Sequence, residues 1–153
     1  GTIIPTNRHA DATEVTRRLD AYYRPYHQAY AKLATPIRAI IAIHSFTPQL
    51  KGRQPRPWEI GILFAKDRRL AEPTIAGLQS RGDLTVGTNE PYDGHLPGDS
   101  IDQHALRNGR LNILIEVRND LIESSKGQQA WARLLAPILQ QALASTKTSK
   151  AGE

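Results

Sequence analysis

The stretch "IIAIHSFTPQ", residues 40–49, decides how this chain is read. Ile40, Ile41, Ala42 and Ile43 form a short apolar run with the composition of a strand covered on both faces. Pro48 has no N–H to give a sheet ladder, so the strand should end near His44. In open α/β sheets, ligands bind at the carboxyl ends of strands. His44 is therefore placed where binding chemistry collects, although a core histidine with a satisfied ring fits the same stretch.

Working outward, residues 37–44 become a strand between two different kinds of segment. Upstream, "GTIIPTNRH" is irregular, and from Asp11 the spacing of Val15, Leu19, Tyr22, Tyr26, Ala29, Tyr30 and Leu33 predicts a helix over 10–33. Asp11 or Thr13 can cap it, and Pro25 predicts a kink or break. Downstream, a loop rich in Pro, Gly and basic residues leads to a second strand, "WEIGILFA", at 58–65. A helix at 67–80 with Gly82 as its stop, a strand at 84–87, a long loop at 88–100 and a short helix at 101–108 follow. The strand "LNILIEVR" occupies 111–118, and a closing helix at 128–145 should be disturbed at Pro137. Residues 146–153 read as a frayed tail. Strands alternating with helices predict a single α/β domain over 1–153, a three-layer αβα arrangement around a mixed, largely parallel sheet.

Composition bounds the function classes. The 153 residues include 39% hydrophobic and 23% charged side chains, which describes a globular chain of one ordinary domain. There is no cysteine, which removes disulfides and thiolate metal sites and permits a reducing compartment; a cytoplasmic location is the expectation. No apolar stretch approaches the length of a membrane span, and no signal-peptide pattern opens the chain. Methionine is absent, initiator included, so the chain is expected to start downstream of a translation start. The formal net charge of +5 favours anionic partners, either nucleic acid or carboxylate substrates. The basic residues are scattered, with no Gly-rich phosphate loop or RNA-binding aromatic signature beside them.

The second informative strand is 111–118. Alternation puts Leu111, Ile113 and Ile115 on one face, and Asn112, Leu114, Glu116 and Arg118 on the other. An unpaired buried carboxylate is costly, so Glu116 needs an explanation. A Glu116–Arg118 pair or a solvated strand end supplies one. A general base beside an anion or carbonyl clamp, suited to amide hydrolysis, supplies another.

The ordered set of motifs favours the second. "RPYH" at 24–27, "IHSFTP" at 43–48, "RPWEIGIL" at 56–63, "VGTNEPY" at 86–92, "QHALRNGRLN" at 103–112 and "IEVRNDLI" at 115–122 occur in the order found in the N-formylglutamate amidohydrolase family. The chain resembles that family from about Ile4 to the final helix. The resemblance implies a phosphorylase/hydrolase-like fold related to zinc carboxypeptidases and aspartoacylase-like deacylases. It also implies a zinc-dependent hydrolase that cleaves the amide of an N-acylated acidic amino acid such as N-formylglutamate. On that plan His44 is a zinc ligand and Glu116 the general acid/base. Arg118 holds a substrate carboxylate or polarises the carbonyl, and Asn89, Tyr92 and His104 line the substrate pocket.

One departure is expected to matter. In the family plan two further zinc ligands and the opening strands of the sheet precede the segment that "GTIIPTN" resembles. The remaining histidines, His9, His27, His95 and His104, show neither HExxH nor HxxE spacing. The other zinc ligands are therefore expected upstream of residue 1. A catalytically inactive fragment or paralogue that binds acidic amino acids, or serves as a scaffold, is the alternative. A basic nucleic-acid-binding domain has only charge in its favour.

Overall fold

A computed structural model describes residues 7–148 of the chain. It contains two compact units, Gly1–Ile37 and Arg38–Glu153. In the first unit α1 (Ala12–Arg18) opens at Asp11, whose carboxylate accepts the N–H of Glu14 at 2.8 Å. Glu14 in turn binds Arg17 and Arg18 at 2.6 and 2.7 Å, one turn on. Residues Leu19–Tyr23 form a π-helical turn, and α2 (Arg24–Ala34) follows. The Arg24 N–H reaches back to the Leu19 carbonyl, and Pro25 sits in the first turn of α2. The interruption expected near Pro25, a kink or break, takes the form of this π turn, which makes room for a ring that cannot donate.

In the second unit four strands make one sheet in the order β1-β4-β2-β3: β1 (Ala39–Phe46), β2 (Ile60–Leu63), β3 (Val86–Thr88) and β4 (Leu111–Arg118). β1 runs parallel to β4 and β2 parallel to β3, while β2 and β4 are antiparallel. This is the mixed, mostly parallel sheet of an αβα arrangement. β1 runs two residues past the expected end at His44, because its register with β4 continues to Phe46 opposite Arg118. β2 is shorter than expected, and the N–H of Phe64, just beyond it, is taken by the side chain of Asn89 at 2.9 Å.

One face of the sheet builds the core. Ile60, Ile62, Leu111, Ile113, Ile115 and Val117 pack against Leu70, Ala71 and Leu78 of α3 (Ala71–Gln79) and its entry, and against Leu135 and Ala142 of α5 (Ser125–Thr148). The opposite face carries the even-numbered residues of β4, with α4 (Ser100–His104) on that side. α5 is continuous through Pro137, without the expected disturbance. Pro137 lies on its exposed side, while Leu134, Leu135 and Ile138 hold the helix to the core. Residues 146–148 of the expected tail continue α5; residues 149–153 and 1–6 lie outside the described residues.

Candidate active site

The site grows from the face of the sheet that α3 and α5 do not cover. His44 and Glu116 are partners in the parallel β1–β4 ladder, so their side chains leave the same face side by side. His44 Nδ1 stands 3.8 Å from Glu116 Oε1. The two are unequal: the His44 side chain is 56% exposed and that of Glu116 only 7%.

On its other side Glu116 faces Gly61 of β2. With no side chain there, the loop after β3 folds down onto the sheet, and a Cβ at Gly61 would run into the carbonyl oxygen of Glu90. Asn89 shapes that loop. Its φ of 51° lies in the left-handed region, which asparagine enters more readily than most residues. Its N–H donates to the Ile62 carbonyl at 3.0 Å, and its Oδ1 accepts the Phe64 N–H. The Glu90–Pro91 peptide is cis. The loop so anchored delivers Tyr92 to a cleft of about 200 Å³ shared with His44 and Glu116 and walled by Leu63, Leu114 and Ile101. Asp93 and Asp99 line it as well.

Glu116 is the unusual group of this cleft. Its Oε2 is buried with no hydrogen-bond partner among the described residues. Burial pushes the carboxyl above the usual carboxylate range, and the nearby His44 and Arg56 charges draw it part of the way back. A carboxyl raised by desolvation and set between specific charges is the environment of a general base.

Arg56 opens the "RPWEIGIL" motif, but the sequence reading gave it no role in the site. Its guanidinium Nη1 donates to the Thr47 carbonyl at 3.0 Å and to the Tyr92 hydroxyl at 3.3 Å. It also lies over the rings of Phe46 and Tyr92, 5.6 and 5.1 Å from their centroids. Its backbone N–H closes the loop on the Pro48 carbonyl at 2.7 Å. The signal that could have found it is "PRPW": Pro55 and Pro57 fix their own φ, and Pro57 holds Arg56 extended.

The remaining expected residues are placed differently. Arg118, at the end of β4, gives its Nε to Asp120 at 2.9 Å and its Nη1 to the Trp58 carbonyl at 3.4 Å. It is committed there rather than to Glu116, two residues away on the same face. His104 is buried at the end of α4, and its carbonyl accepts from Arg110 at 2.7 Å. The structure thus brings His44, Glu116 and Tyr92 together, uses Asn89 to hold the loop, and keeps Arg118 and His104 outside the lining of the cleft.

The sequence model of the N-formylglutamate amidohydrolase family matches residues 1–123. The chain belongs to this family. The crystal structure of gene product Atu2144 from Agrobacterium tumefaciens is 38% identical, with a TM-score of 0.81 over 94% of this chain and 59% of that one. An N-formylglutamate amidohydrolase from Ralstonia eutropha JMP134 shares the fold at 24% identity, with a TM-score of 0.56 over 92% of this chain and 56% of that one. The chain therefore spans less than two thirds of the length of either structure. No curated protein sequence matches it. No described helix is long and apolar enough to cross a membrane.

A catalytic zinc takes three protein ligands and keeps an open position. Among the described residues of this N-formylglutamate amidohydrolase family member, no three His, Cys, Asp or Glu side chains are gathered to hold a metal ion. His44 beside Glu116 does not by itself fit a catalytic zinc.

Proposed function

We propose that the protein hydrolyses the amide of an N-acylated acidic amino acid, N-formylglutamate being the representative substrate, with Glu116 as the acid/base group. The observation that supports this reading is the Glu116 carboxyl, buried with one oxygen unpartnered among the described residues, at the floor of a cleft it shares with His44 and Tyr92. An ionised Glu116 takes a proton from water as the water oxygen adds to the acyl carbon. The same carboxyl then passes that proton to the amino-acid nitrogen as the C–N bond breaks. For a formyl substrate the products are formate and the free amino acid. Zinc dependence is part of the proposal by family membership, with His44 as one ligand. A cytoplasmic setting belongs to the same proposal.

The base must be ionised to work, so the rising limb of kcat/KM with pH should lie above the ordinary glutamate range. Glu116→Gln keeps the shape of the side chain and removes the base. Deformylation of N-formylglutamate by that variant should fall by about two orders of magnitude or more. Turnover equal to wild type would remove Glu116 from the chemistry. The lack of three gathered donors among the described residues favours a second reading, a binder without turnover. It predicts that wild type binds N-formylglutamate and leaves it intact.

A further inference from the structure

The family resemblance assigned substrate anchoring to Arg118, yet that guanidinium is already matched to a carboxylate, Asp120. A second arginine near the cleft is differently provided for. Arg56 spends Nη1 on two neutral oxygens, the Thr47 carbonyl and the Tyr92 hydroxyl. No acidic side chain among the described residues forms an ion pair with it, in contrast to Arg17, Arg69, Arg81, Arg107 and Arg118. The aromatic faces of Phe46 and Tyr92 restrict where its plane can lie, and Phe46 is buried. Tyr92 touches both Arg56 and the cleft that holds Glu116. Arg56 is thus a cation held in place by neutral groups, with Nε and Nη2 uncommitted among the described residues and its charge felt at Glu116.

We propose that Arg56 is the residue that reads a carboxylate of the substrate, docking it beside Tyr92 so that the acyl group lies toward Glu116. This inference rests on the hydrolytic reading for its substrate class, but binding tests it without turnover. A planar fork whose remaining N–H groups are free suits a carboxylate, which takes two parallel hydrogen bonds from it. Preorganisation by Thr47 and the two rings lowers the ordering cost of that contact. An N-acyl acidic amino acid offers two carboxylates, one on the α-carbon and one on the side chain, and either satisfies the same chemistry.

The test is equilibrium binding by calorimetry on the full chain, in the Glu116→Gln background wherever a ligand is turned over, with three ligands. N-formylglutamate carries both carboxylates, N-formylglutamine only the α-carboxylate, and the α-amide of N-formylglutamate only the side-chain one. Arg56→Gln should weaken N-formylglutamate by about 10- to 100-fold, the loss of a charge-assisted hydrogen-bond pair. It should weaken only one of the two half-neutral ligands, which identifies the carboxylate read. Tyr92→Phe removes a partner of Nη1 without removing the charge and should give a smaller loss on the same ligand, and it guards against misfolding of the first variant. Equal losses on all three ligands, no loss on any, or no binding by wild type would overturn the proposal. So would a carboxylate-selective loss in Arg118→Gln with none in Arg56→Gln. Arg56-dependent binding without hydrolysis by wild type would keep the carboxylate subsite and defeat the hydrolytic reading instead.

Discussion

The two faces of the four-stranded sheet are made from the same strands and obey opposite rules. On one face Ile60, Ile62, Ile113, Ile115 and Val117 are sealed under α3 and α5 by apolar contacts. On the other, neighbouring positions of those strands carry Asn112, Glu116 and Gly61, and a loop, a cleft and the short α4 take the place of α3 and α5. Asn112 and Glu116 each bury an oxygen with no partner among the described residues. The first face stabilises the fold through area removed from water. The second leaves a buried carboxyl oxygen unpartnered among the described residues, which costs stability.

That contrast can be broken or sharpened by substitution. The largest effect on stability is expected from Ile113→Ala, because Ile113 is fully buried at the centre of β4. Chemical denaturation should show a loss of about 2–5 kcal/mol, with activity per folded molecule and ligand affinity unchanged. A loss below about 1 kcal/mol would mean that the sealed face is less decisive than its packing implies. Next in size is Gly61→Ala, whose new methyl meets the Glu90 carbonyl oxygen. Overpacking of this kind costs about 1–3 kcal/mol. Here it should also lift the Asn89–Tyr92 loop and weaken substrate binding, which Ile113→Ala should not do. Parallel loss of stability with intact binding would detach that loop from the site.

The smallest effect should have the opposite sign. Glu116 has its pKa raised by burial, so the folded state holds a proton that the unfolded state releases. Below the ordinary glutamate range both states are protonated and the group costs nothing. As pH rises from that range through the raised pKa, the folded state must ionise a buried carboxyl and stability falls. Glu116→Gln should abolish this fall and leave the variant more stable than wild type at neutral pH, while it loses turnover. The difference between the two urea midpoints across pH isolates Glu116. Asp67, held low mainly by Arg69, and Asp102, held low by the Gly98 N–H and Arg107, titrate in the opposite sense in both proteins. A Gln variant less stable than wild type at neutral pH would make Glu116 a structural residue and erase the difference between the faces.

Much of this arrangement was written in local patterns. The apolar runs 40–43 and 111–117 are strands because β-branched residues tolerate pleated burial, and strict alternation in "LNILIEVR" assigns Glu116 to the face away from the isoleucines. The motif order was enough to name the family, which the match over residues 1–123 shows. Local pattern misjudged Pro137, since a proline removes one hydrogen bond and only the surrounding turn or packing decides whether the helix yields. Nor could it show which groups hold the guanidinium of Arg118 or of Arg56. Two residues along a strand put Arg118 near Glu116 by spacing alone, but Asp120 and the Trp58 carbonyl take its guanidinium at the strand end. Arg56 is 60 positions from Glu116 in the chain, and its charge reaches that carboxyl only after the loop closes on Pro48. Strand identity and side-chain face follow from neighbours in sequence because backbone geometry is periodic. The pairing of His44 with Glu116, and the reach of the Arg56 charge to Glu116, depend on register and loop closure, which join distant residues and leave no period to read.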